Sequence, residues 1–172
     1  MAHQISLIFI AGFAPTSPGM LGPGLLAFLE HPAQLTKLQQ HPELLPRAID
    51  EVLRFNGSNQ YTYRLASERV ELAGAVIERG DVVAPFLGAA NRDPRVFEHP
   101  DRFDIHRHMS FGHGPHYCVA AALARMEGEV AFERIFARMP DIRLNGEPEW
   151  NEYLEFRSLW SLPVVWTPPG AG

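Results

Sequence analysis

Residues 111–118 decide the fold of this chain and read Phe-Gly-His-Gly-Pro-His-Tyr-Cys. The stretch ends in Cys118, the only cysteine among 172 residues, and a run of good helix formers follows it. Gly112 and Gly114 allow sharp turns, so that backbone amides can point at the sulfur. The dipole of a helix that begins after Cys118 also favours an anionic sulfur. The pattern therefore predicts a cysteine that acts as an anion.

A single cysteine cannot form an internal disulfide, so Cys118 either fills the core or serves as a ligand or nucleophile. Core filling does not call for flanking glycines and a neighbouring histidine, which favours the second role. Nearby histidines leave a zinc site as an alternative, although their spacing lacks the paired C-x-x-C or H-x-x-x-H pattern of structural sites. These histidines are His106, His108, His113 and His116.

The composition is that of a globular protein, with 46% hydrophobic and 20% charged residues, and the length fits one domain over residues 1–172. A count of 15 Lys and Arg against 20 Asp and Glu gives a net charge of -5, which argues against nucleic acid or an anionic membrane as a partner. The longest early apolar run, residues 5–13, is far shorter than the roughly 20 residues that a membrane-spanning helix needs, and it lacks a basic leader. We therefore expect a soluble, cytoplasmic protein.

The hydrophobic pattern predicts a mainly helical α+β fold. Helices are expected at residues 32–41, 45–55 and 119–138, and the last has apolar residues spaced for one buried face at Leu123, Met126, Val130 and Phe132. A small, mostly antiparallel sheet is expected from short strands within residues 61–83, with further short strands at residues 142–144 and 164–166. Residues 91–111 show no sustained period, and long ordered loops of this kind are usually functional.

The apolar N-terminal segment leads into Pro15, Pro18 and Pro23. Each interior proline removes a backbone donor and clashes with the preceding turn, which costs on the order of 3 kcal/mol. We therefore expect the helix to be interrupted, with a separate short helix at residues 25–30.

The loop at residues 111–118 resembles the haem-ligand loop of the cytochrome P-450 family, Phe-Gly-x-Gly-x-His-x-Cys-x-Gly, in its bacterial soluble form. Other family segments follow in order and at family spacing, so the resemblance covers nearly the whole chain. Residues 51–54, Glu-Val-Leu-Arg, resemble the Glu-x-x-Arg pair, and residues 100–103, Pro-Asp-Arg-Phe, resemble the segment whose arginine completes an ion-paired triad. Residues 89–94 resemble the entry to the irregular meander, and residues 157–164 resemble the closing strands.

The resemblance implies a role for each matching residue. Cys118 would be the proximal thiolate ligand of haem iron. Arg64 and His116 would contact the haem propionates, since a guanidinium fork and an imidazole donor suit carboxylates. The loop residues that would pack around the cofactor are Phe111, Gly112 and Gly114. A structural triad without a catalytic role would consist of Glu51, Arg54 and Arg102.

The implied function is that of a haem-thiolate monooxygenase, or of a peroxygenase driven by peroxide, acting on a small hydrophobic secondary metabolite. A monooxygenase of this kind would also use an electron donor. The family carries an acid and a threonine that deliver protons to dioxygen, and here those positions read Ala14 and Pro15. Neither side chain can carry a proton, and Thr16 or Ser17 would replace them only if the backbone were re-routed.

The resemblance begins within the central helix of the family, so we expect this chain to lack the N-terminal half that covers the substrate. A haem held by the remaining half would expose its distal face, and a second copy of the chain or a partner subunit is the expected cover. Ala120 and Ser158 stand where the family has glycines, and we expect both changes to be tolerated.

Two further hypotheses follow from these departures. The chain could be a haem-independent relative of the family, either a non-oxidative biosynthetic enzyme such as a cyclase or an auxiliary subunit. It could also be a fragment without independent activity. Against the latter, the motifs within residues 51–125 are mutually consistent, which is typical of a foldable sequence.

Overall fold

The computed structural model describes residues 2–104 and 110–168. Within these ranges the helices are α1 (Ala2–Glu30), α2 (Pro32–Gln40), α3 (Leu45–Asn56), α4 (Leu87–Ala90) and α5 (Ala121–Arg138). Short 3-10 turns occur at Pro42–Leu44 and Gly114–His116. The strands are β1 (Arg64–Leu65), β2 (Val70–Leu72), β3 (Ala75–Ile77), β4 (Val82–Val83), β5 (Arg143–Leu144), β6 (Glu149–Trp150), β7 (Leu159–Ser161) and β8 (Val164–Val165). The mainly helical α+β class is confirmed.

The described strands form four separate antiparallel pairs, which differs from the single small sheet that we expected. Strand β1 pairs with β4, β2 with β3, β5 with β8 and β6 with β7. Each strand has only two or three residues, so every pair is short. The hairpin of β2 and β3 turns at Ala73 and Gly74, both with positive φ.

Helix α1 continues through Pro15, Pro18 and Pro23, so the prediction of an interrupted segment with a separate helix at residues 25–30 is wrong. Packing explains the difference. Buried side chains on α1 such as Phe28 each contribute about 1.5–3 kcal/mol, which offsets the cost of the prolines. In addition, Asn56 Nδ2 donates a hydrogen bond to the Pro23 carbonyl oxygen at 3.1 Å.

The glycines of α1 allow close packing against its neighbours. A Cβ atom at Gly24 would lie 2.6 Å from Val52 Cγ1 of α3 and 2.8 Å from Phe132 Cζ of α5. A Cβ atom at Gly19 would clash with the side chain of Ser58. The segment of α1 that we expected to interrupt the helix therefore forms the surface on which α3 and α5 pack.

The core lies between α1, α2, α3 and α5. At its centre Phe28 meets the rings of Phe103 and Phe132 edge to face, with centroids 5.2 and 5.5 Å apart. Such pairs contribute about 0.5–1.5 kcal/mol beyond the burial of their area. The buried cluster contains Met20, Ala27, Phe28, Leu38, Ala48, Ile49, Val52, Leu53, Phe103 and Phe132. These contacts fix the three long helices that surround the site.

Helix α5 buries a different face from the one predicted. Phe132 is fully buried as expected, but Met126 and Val130 are more than half exposed, at 55% and 52%. The buried positions are Ala121, Gly128 and Phe132, which recur at seven and four residues and so share one face. Glycine and alanine do not stand out in a hydrophobic pattern, which is why the sequence assigned this face wrongly.

Among residues 2–104 and 110–168, no helix combines the length and the apolar character needed to cross a membrane.

Candidate functional site

A cavity of about 660 Å³ lies between α1, the end of α3 and the loop that leads into α5. This volume is within the range of about 300–1,000 Å³ typical of small-molecule and cofactor sites. Apolar side chains form part of its wall, among them Met20, Leu53, Leu87, Leu123 and Phe156. Of the residues that the sequence assigned to the cofactor, those in its lining are Arg64, Phe111, Gly112, His116 and Cys118.

The loop at residues 111–118 has the tight geometry that its glycines predicted. Gly112 and Gly114 adopt φ values of +72° and +74°, in the left-handed region that favours glycine. The Cys118 N–H donates to the Phe111 carbonyl oxygen at 3.0 Å and closes the loop. Gly114 shapes this turn but does not line the cavity.

The half-buried Cys118 lies at the cavity wall, just before the first turn of α5. The helix begins at Ala121, slightly later than predicted, and the Ala121 N–H donates to the Cys118 carbonyl oxygen at 3.2 Å. The cysteine is therefore held between a hydrogen-bonded loop and a helix N-terminus, while its side chain lines the cavity.

Phe111 is held from outside the cavity by Arg125, a residue that the sequence analysis missed. The Arg125 guanidinium lies 4.8 Å from the centroid of the Phe111 ring, and its Nε donates to Asp50 Oδ1 at 2.8 Å. Burial opposes the charge of Arg125, but hydrogen bonds to Asp50 and Tyr117 raise its pKa. No spacing rule could have linked Asp50 with Arg125, because α3 and α5 meet only in the folded chain.

The two candidate propionate-binding residues, Arg64 and His116, lie at the edge of the cavity. Arg64 is exposed on β1, and its guanidinium donates to the Tyr63 carbonyl oxygen at 2.7 Å and to Thr62 Oγ1 at 3.0 Å. His116 is exposed at the end of the 3-10 turn Gly114–His116, and His113 also lines the cavity. The cavity thus has apolar side chains in its wall, the Cys118 sulfur beside them, and basic side chains at its edge.

Glu51 and Arg54 form a fully buried ion pair on α3. Arg54 Nε donates to Glu51 Oε2 and Arg54 Nη2 to Glu51 Oε1, both at 2.7 Å. The remaining donors of Arg54 reach the carbonyl oxygens of Asn91 at 3.0 Å and Pro100 at 2.8 Å, and the Asp104 N–H donates to Glu51 Oε1 at 2.6 Å. The pair therefore ties α3 to the irregular segment 91–104.

Arg102 does not join this cluster in the way that we predicted. Its side chain is exposed, and it contributes its main-chain carbonyl oxygen, which accepts a hydrogen bond from Arg54 Nη2 at 2.8 Å. Arg54 and the Asp104 amide already occupy Glu51, so a second guanidinium would be buried without a matching carboxylate. In place of the predicted triad, the structure has a buried ion pair of Glu51 and Arg54, and the Arg102 carbonyl oxygen accepts a further hydrogen bond from Arg54.

Polar side chains from α1 and α5 meet at the cavity wall. Ser17 Oγ donates to Glu127 Oε2 at 2.8 Å, and both half-buried residues line the cavity together with Thr16. Ala14 is exposed, and neither Ala14 nor Pro15 is among the described residues of the lining. The prediction that a re-routed backbone would be needed is therefore wrong, because the continuous helix itself turns Thr16 and Ser17 to the cavity.

Ala120 and Ser158, which stand where the family has glycines, lie in different surroundings. Ala120 lines the cavity just before α5. Ser158 lies in the C-terminal hairpin, where its hydroxyl accepts a hydrogen bond from Asn151 Nδ2 at 2.9 Å.

Of the histidines considered for zinc, His106 and His108 lie outside the described residues. Within the described ranges no three His, Cys, Asp or Glu side chains are grouped so as to hold a metal ion.

The fold and site define a class of mainly helical proteins that present one cysteine, at a helix N-terminus, to a largely apolar cavity. A model of one such family, cytochrome P450, matches residues 1–140. This chain belongs to the cytochrome P450 family.

Curated relatives support the same assignment. The chain is 42% identical over 170 residues to the biotin biosynthesis cytochrome P450 of Bacillus subtilis (strain 168), which covers 95% of this chain and 42% of the relative. It is also 42% identical over 176 residues to cytochrome P450 107B1 of Saccharopolyspora erythraea, covering 98% of this chain and 42% of the relative. The chain therefore spans about two fifths of the length of these relatives.

Solved structures have the same fold. A crystal structure of P450BioI in complex with an acyl carrier protein carrying hexadec-9Z-enoic acid matches with a TM-score of 0.89 and 41% identity, over 94% of this chain and 43% of that one. The tirandamycin C-bound P450 monooxygenase TamI matches with a TM-score of 0.91 and 34% identity, over 95% of this chain and 43% of that one.

The family implies a haem cofactor, and the residues of the cavity fit that group. A cysteine sulfur is a known axial ligand of haem iron, and Cys118 is the sulfur in this lining. A Cβ atom built at Gly112 would meet no atom within 4 Å, so this part of the cavity lining faces open space. The basic groups of Arg64 and His116 suit the carboxylates of such a cofactor, and the apolar wall suits its ring.

Proposed function

We propose that this chain binds haem through Cys118 and supports oxidation of a small hydrophobic secondary metabolite. The observation that carries the proposal is the position of Cys118 in the wall of the 660 Å³ cavity, with Arg64 and His116 at its rim. Residues 1–172 act as one unit in this proposal, and its cytoplasmic location is a prediction from composition.

The proposal gives roles to six of the predicted site residues. Cys118 is the iron ligand, and Arg64 and His116 bind the two propionates. Phe111, fixed by Arg125, excludes water from the side of the sulfur. The buried pair of Glu51 and Arg54 holds the segment that leads into the loop and takes no part in the chemistry.

Haem, when bound, supplies the activation of dioxygen or peroxide. The chain supplies a proton at Ser17 Oγ, because this hydroxyl is hydrogen-bonded to the Glu127 carboxylate and lies at the cavity. Proton transfer by a positioned side chain typically contributes about 10²–10⁴-fold to a rate. The acid and the alcohol thus come from two different helices, and Ala14 and Pro15 need not carry a proton.

The substrate class follows from the relatives. Similar proteins are named for biotin biosynthesis and for polyketide biosynthesis, both in Bacillus subtilis, and TamI has been crystallised with tirandamycin C. We therefore expect a hydrophobic metabolite, free or attached to a carrier protein, and an electron-donor protein unless peroxide drives the reaction.

An apolar surface near the site needs a cover. Val119 is 91% exposed, and Met126 and Val130 on α5 are more than half exposed. Exposed apolar side chains that cluster on a surface mark an interaction site, and this supports a partner here. A second copy of the chain or a partner subunit is the proposed cover.

A haem titration followed by absorbance tests the proposal. We expect the 172-residue chain to bind one haem, and the Cys118→Ser variant to bind it at least about tenfold more weakly, since it loses the iron ligand. His113→Ala is the matched control, because His113 lies in the same loop and lines the same cavity without an assigned role. Equal haem binding by wild type and Cys118→Ser would overturn Cys118 as the ligand, and no haem binding by the wild type would favour the haem-independent alternative.

A further inference from the structure

A second cavity, of about 310 Å³, lies beside the first. It is bordered by the end of α3, the start of α4 and the irregular segment that follows. Asn59 lines both cavities and so lies between them. Nothing in the proposed haem chemistry uses this second space, yet three arginines line it: Arg54, Arg92 and Arg157.

Two of these arginines are neutralised by acidic partners. Glu51 pairs with Arg54, as described above. Arg92 Nη1 donates to Asp101 Oδ1 at 2.8 Å, and its Nη2 donates to the Phe55 carbonyl oxygen at 2.7 Å. Both guanidinium groups are therefore held in place with their charge balanced.

The guanidinium of Arg157 has no such partner in the ranges that the structure describes. Its Cζ lies 4.0 Å from the centroid of the Trp150 ring, and no carboxylate of the described residues forms an ion pair with it. Burial lowers the pKa of Arg157 and the charge of Arg92 lowers it further, while Glu30 acts in the opposite direction. Among the described residues the cavity thus carries one guanidinium without an ion-paired carboxylate, on a residue that also reaches the surface.

Asn59, which lines both cavities, carries an unsatisfied acceptor. Asn59 Oδ1 is buried and has no hydrogen-bond partner among the described residues. Buried polar atoms in native proteins almost always have a partner, so each exception calls for an explanation. A carbonyl oxygen needs a donor, and a plain anion such as sulfate has none to offer.

We propose that this cavity binds an oxyanion that also carries a hydroxyl group, with hydrogen phosphate as its simplest member. The anionic oxygens meet the planar fork of Arg157, which suits bidentate contact with phosphate. The P–OH group donates to Asn59 Oδ1. The volume leaves room for the alcohol part of a phosphate monoester. This binding is independent of haem and of the first cavity's chemistry.

Equilibrium dialysis of the 172-residue chain against radiolabelled phosphate tests the proposal. We expect saturable binding of one phosphate per chain at a pH of about 5, below the second pKa of about 6 of a phosphate monoester, so that methyl phosphate keeps its P–OH group. Under these conditions sulfate should compete much more weakly than methyl phosphate at equal ionic strength. Arg157→Met removes the charge but keeps an apolar stem on Trp150, and Asn59→Leu removes the acceptor. Each change is expected to weaken binding about tenfold or more, as for a lost hydrogen bond to a charged group.

Arg79→Met is the matched control, because Arg79 is exposed in the turn between β3 and β4 and lies outside the cavity. It should leave phosphate binding unchanged. Arg157 is at the surface, so its variant can be measured even if Asn59→Leu fails to fold. Absence of saturable binding, equal competition by sulfate, or full binding by Arg157→Met would overturn the proposal and leave ordered water as the occupant.

Discussion

Glu51 and Glu127 are both helical glutamates with a hydrogen-bonded partner from the same protein, yet they occupy opposite kinds of surroundings. Glu51 is 1% exposed and faces a guanidinium and a backbone amide. Glu127 is half-buried beside a cavity and accepts a hydrogen bond from the Ser17 hydroxyl. The Glu51 carboxylate is buried with Arg54, so separating the pair would require local unfolding of the segment that it holds. The Glu127 carboxylate is hydrogen-bonded to a hydroxyl group, with which it can exchange a proton. The hydrogen-bond partner and the access to the cavity, rather than the residue type, separate the structural Glu51 from Glu127, for which we propose a role in proton transfer.

The largest effect is expected at the buried glutamate. Glu51→Gln leaves the Arg54 charge buried without a counter-ion, and breaking such a pair costs about 3–5 kcal/mol. That loss is a large part of the roughly 5–15 kcal/mol that stabilises an ordinary domain. Chemical denaturation should show it, and Glu133→Gln, an exposed glutamate on α5, should change stability by less than about 0.5 kcal/mol. Equal stability of both variants would remove the structural half of the comparison.

Two glycines on α1 test how closely this helix packs against α3 and α5, the helices that carry Glu51 and Glu127. Gly24→Ala places a methyl group 2.6 Å from Val52 Cγ1, and overpacking of this kind costs about 1–3 kcal/mol. Gly22→Ala is the matched control, because its Cβ would lie at an ordinary 3.6 Å from Leu159 Cδ1. The control should gain up to about 1 kcal/mol of helix propensity. Thermal unfolding of the two variants should therefore move in opposite directions, and a parallel shift would contradict the close crossing of α1 and α3.

Changes at the cavity pair should separate activity from stability. Ser17→Ala and Glu127→Gln each disturb one hydrogen bond and should cost only about 0.5–1.5 kcal/mol in unfolding free energy. Peroxide-driven turnover of the haem-loaded protein should nevertheless fall by about 10²-fold or more if the pair holds the catalytic proton. Glu129→Gln, elsewhere on α5, is the control. Unchanged turnover in both cavity variants would show that Glu127 does not hold the catalytic proton, and the proposed difference between Glu127 and Glu51 would be lost.

The smallest effect concerns an exposed ion pair. Hydrogen bonds from the Arg95 side chain and backbone lower the pKa of Asp93 to about 2. A lowered pKa means that the stabilisation is present above the ordinary pKa of an aspartate and is lost as the pH falls through about 2. Carboxyl NMR of Asp93 should show this low titration point, and Arg95→Gln should return it towards its usual range. A normal pKa in the wild type would argue against the pairing.

The sequence predicted the parts of the molecule that depend on local pattern. The turns at Gly112 and Gly114, the position of Cys118 and the spacing of Glu51 and Arg54 all follow from short-range chemistry. The cavity brings most of the assigned cofactor residues together, although their contact with haem is a proposal. Helices α2 and α3 also begin and end close to their predicted limits, because prolines and apolar spacing mark them.

Other features depend on contacts between distant segments, and the sequence analysis did not predict them. Proline cost alone predicted a break in α1, but packing of its glycine surface on Val52 and Phe132 maintains the helix. The exposure of the Arg102 side chain depends on the Asp104 amide, which already occupies Glu51. The meeting of Ser17 with Glu127 spans 110 positions and has no local signature.

The absorption spectrum of the reduced, carbon monoxide-bound protein tests most directly the claim that Cys118 and its cavity form a haem-thiolate site. The haem-loaded chain should show the long-wavelength Soret band of a thiolate-ligated haem, and His113→Ala should keep it. Cys118→Ser should lose that band. A wild-type spectrum without the thiolate band, or with one that survives the loss of Cys118, would contradict the account.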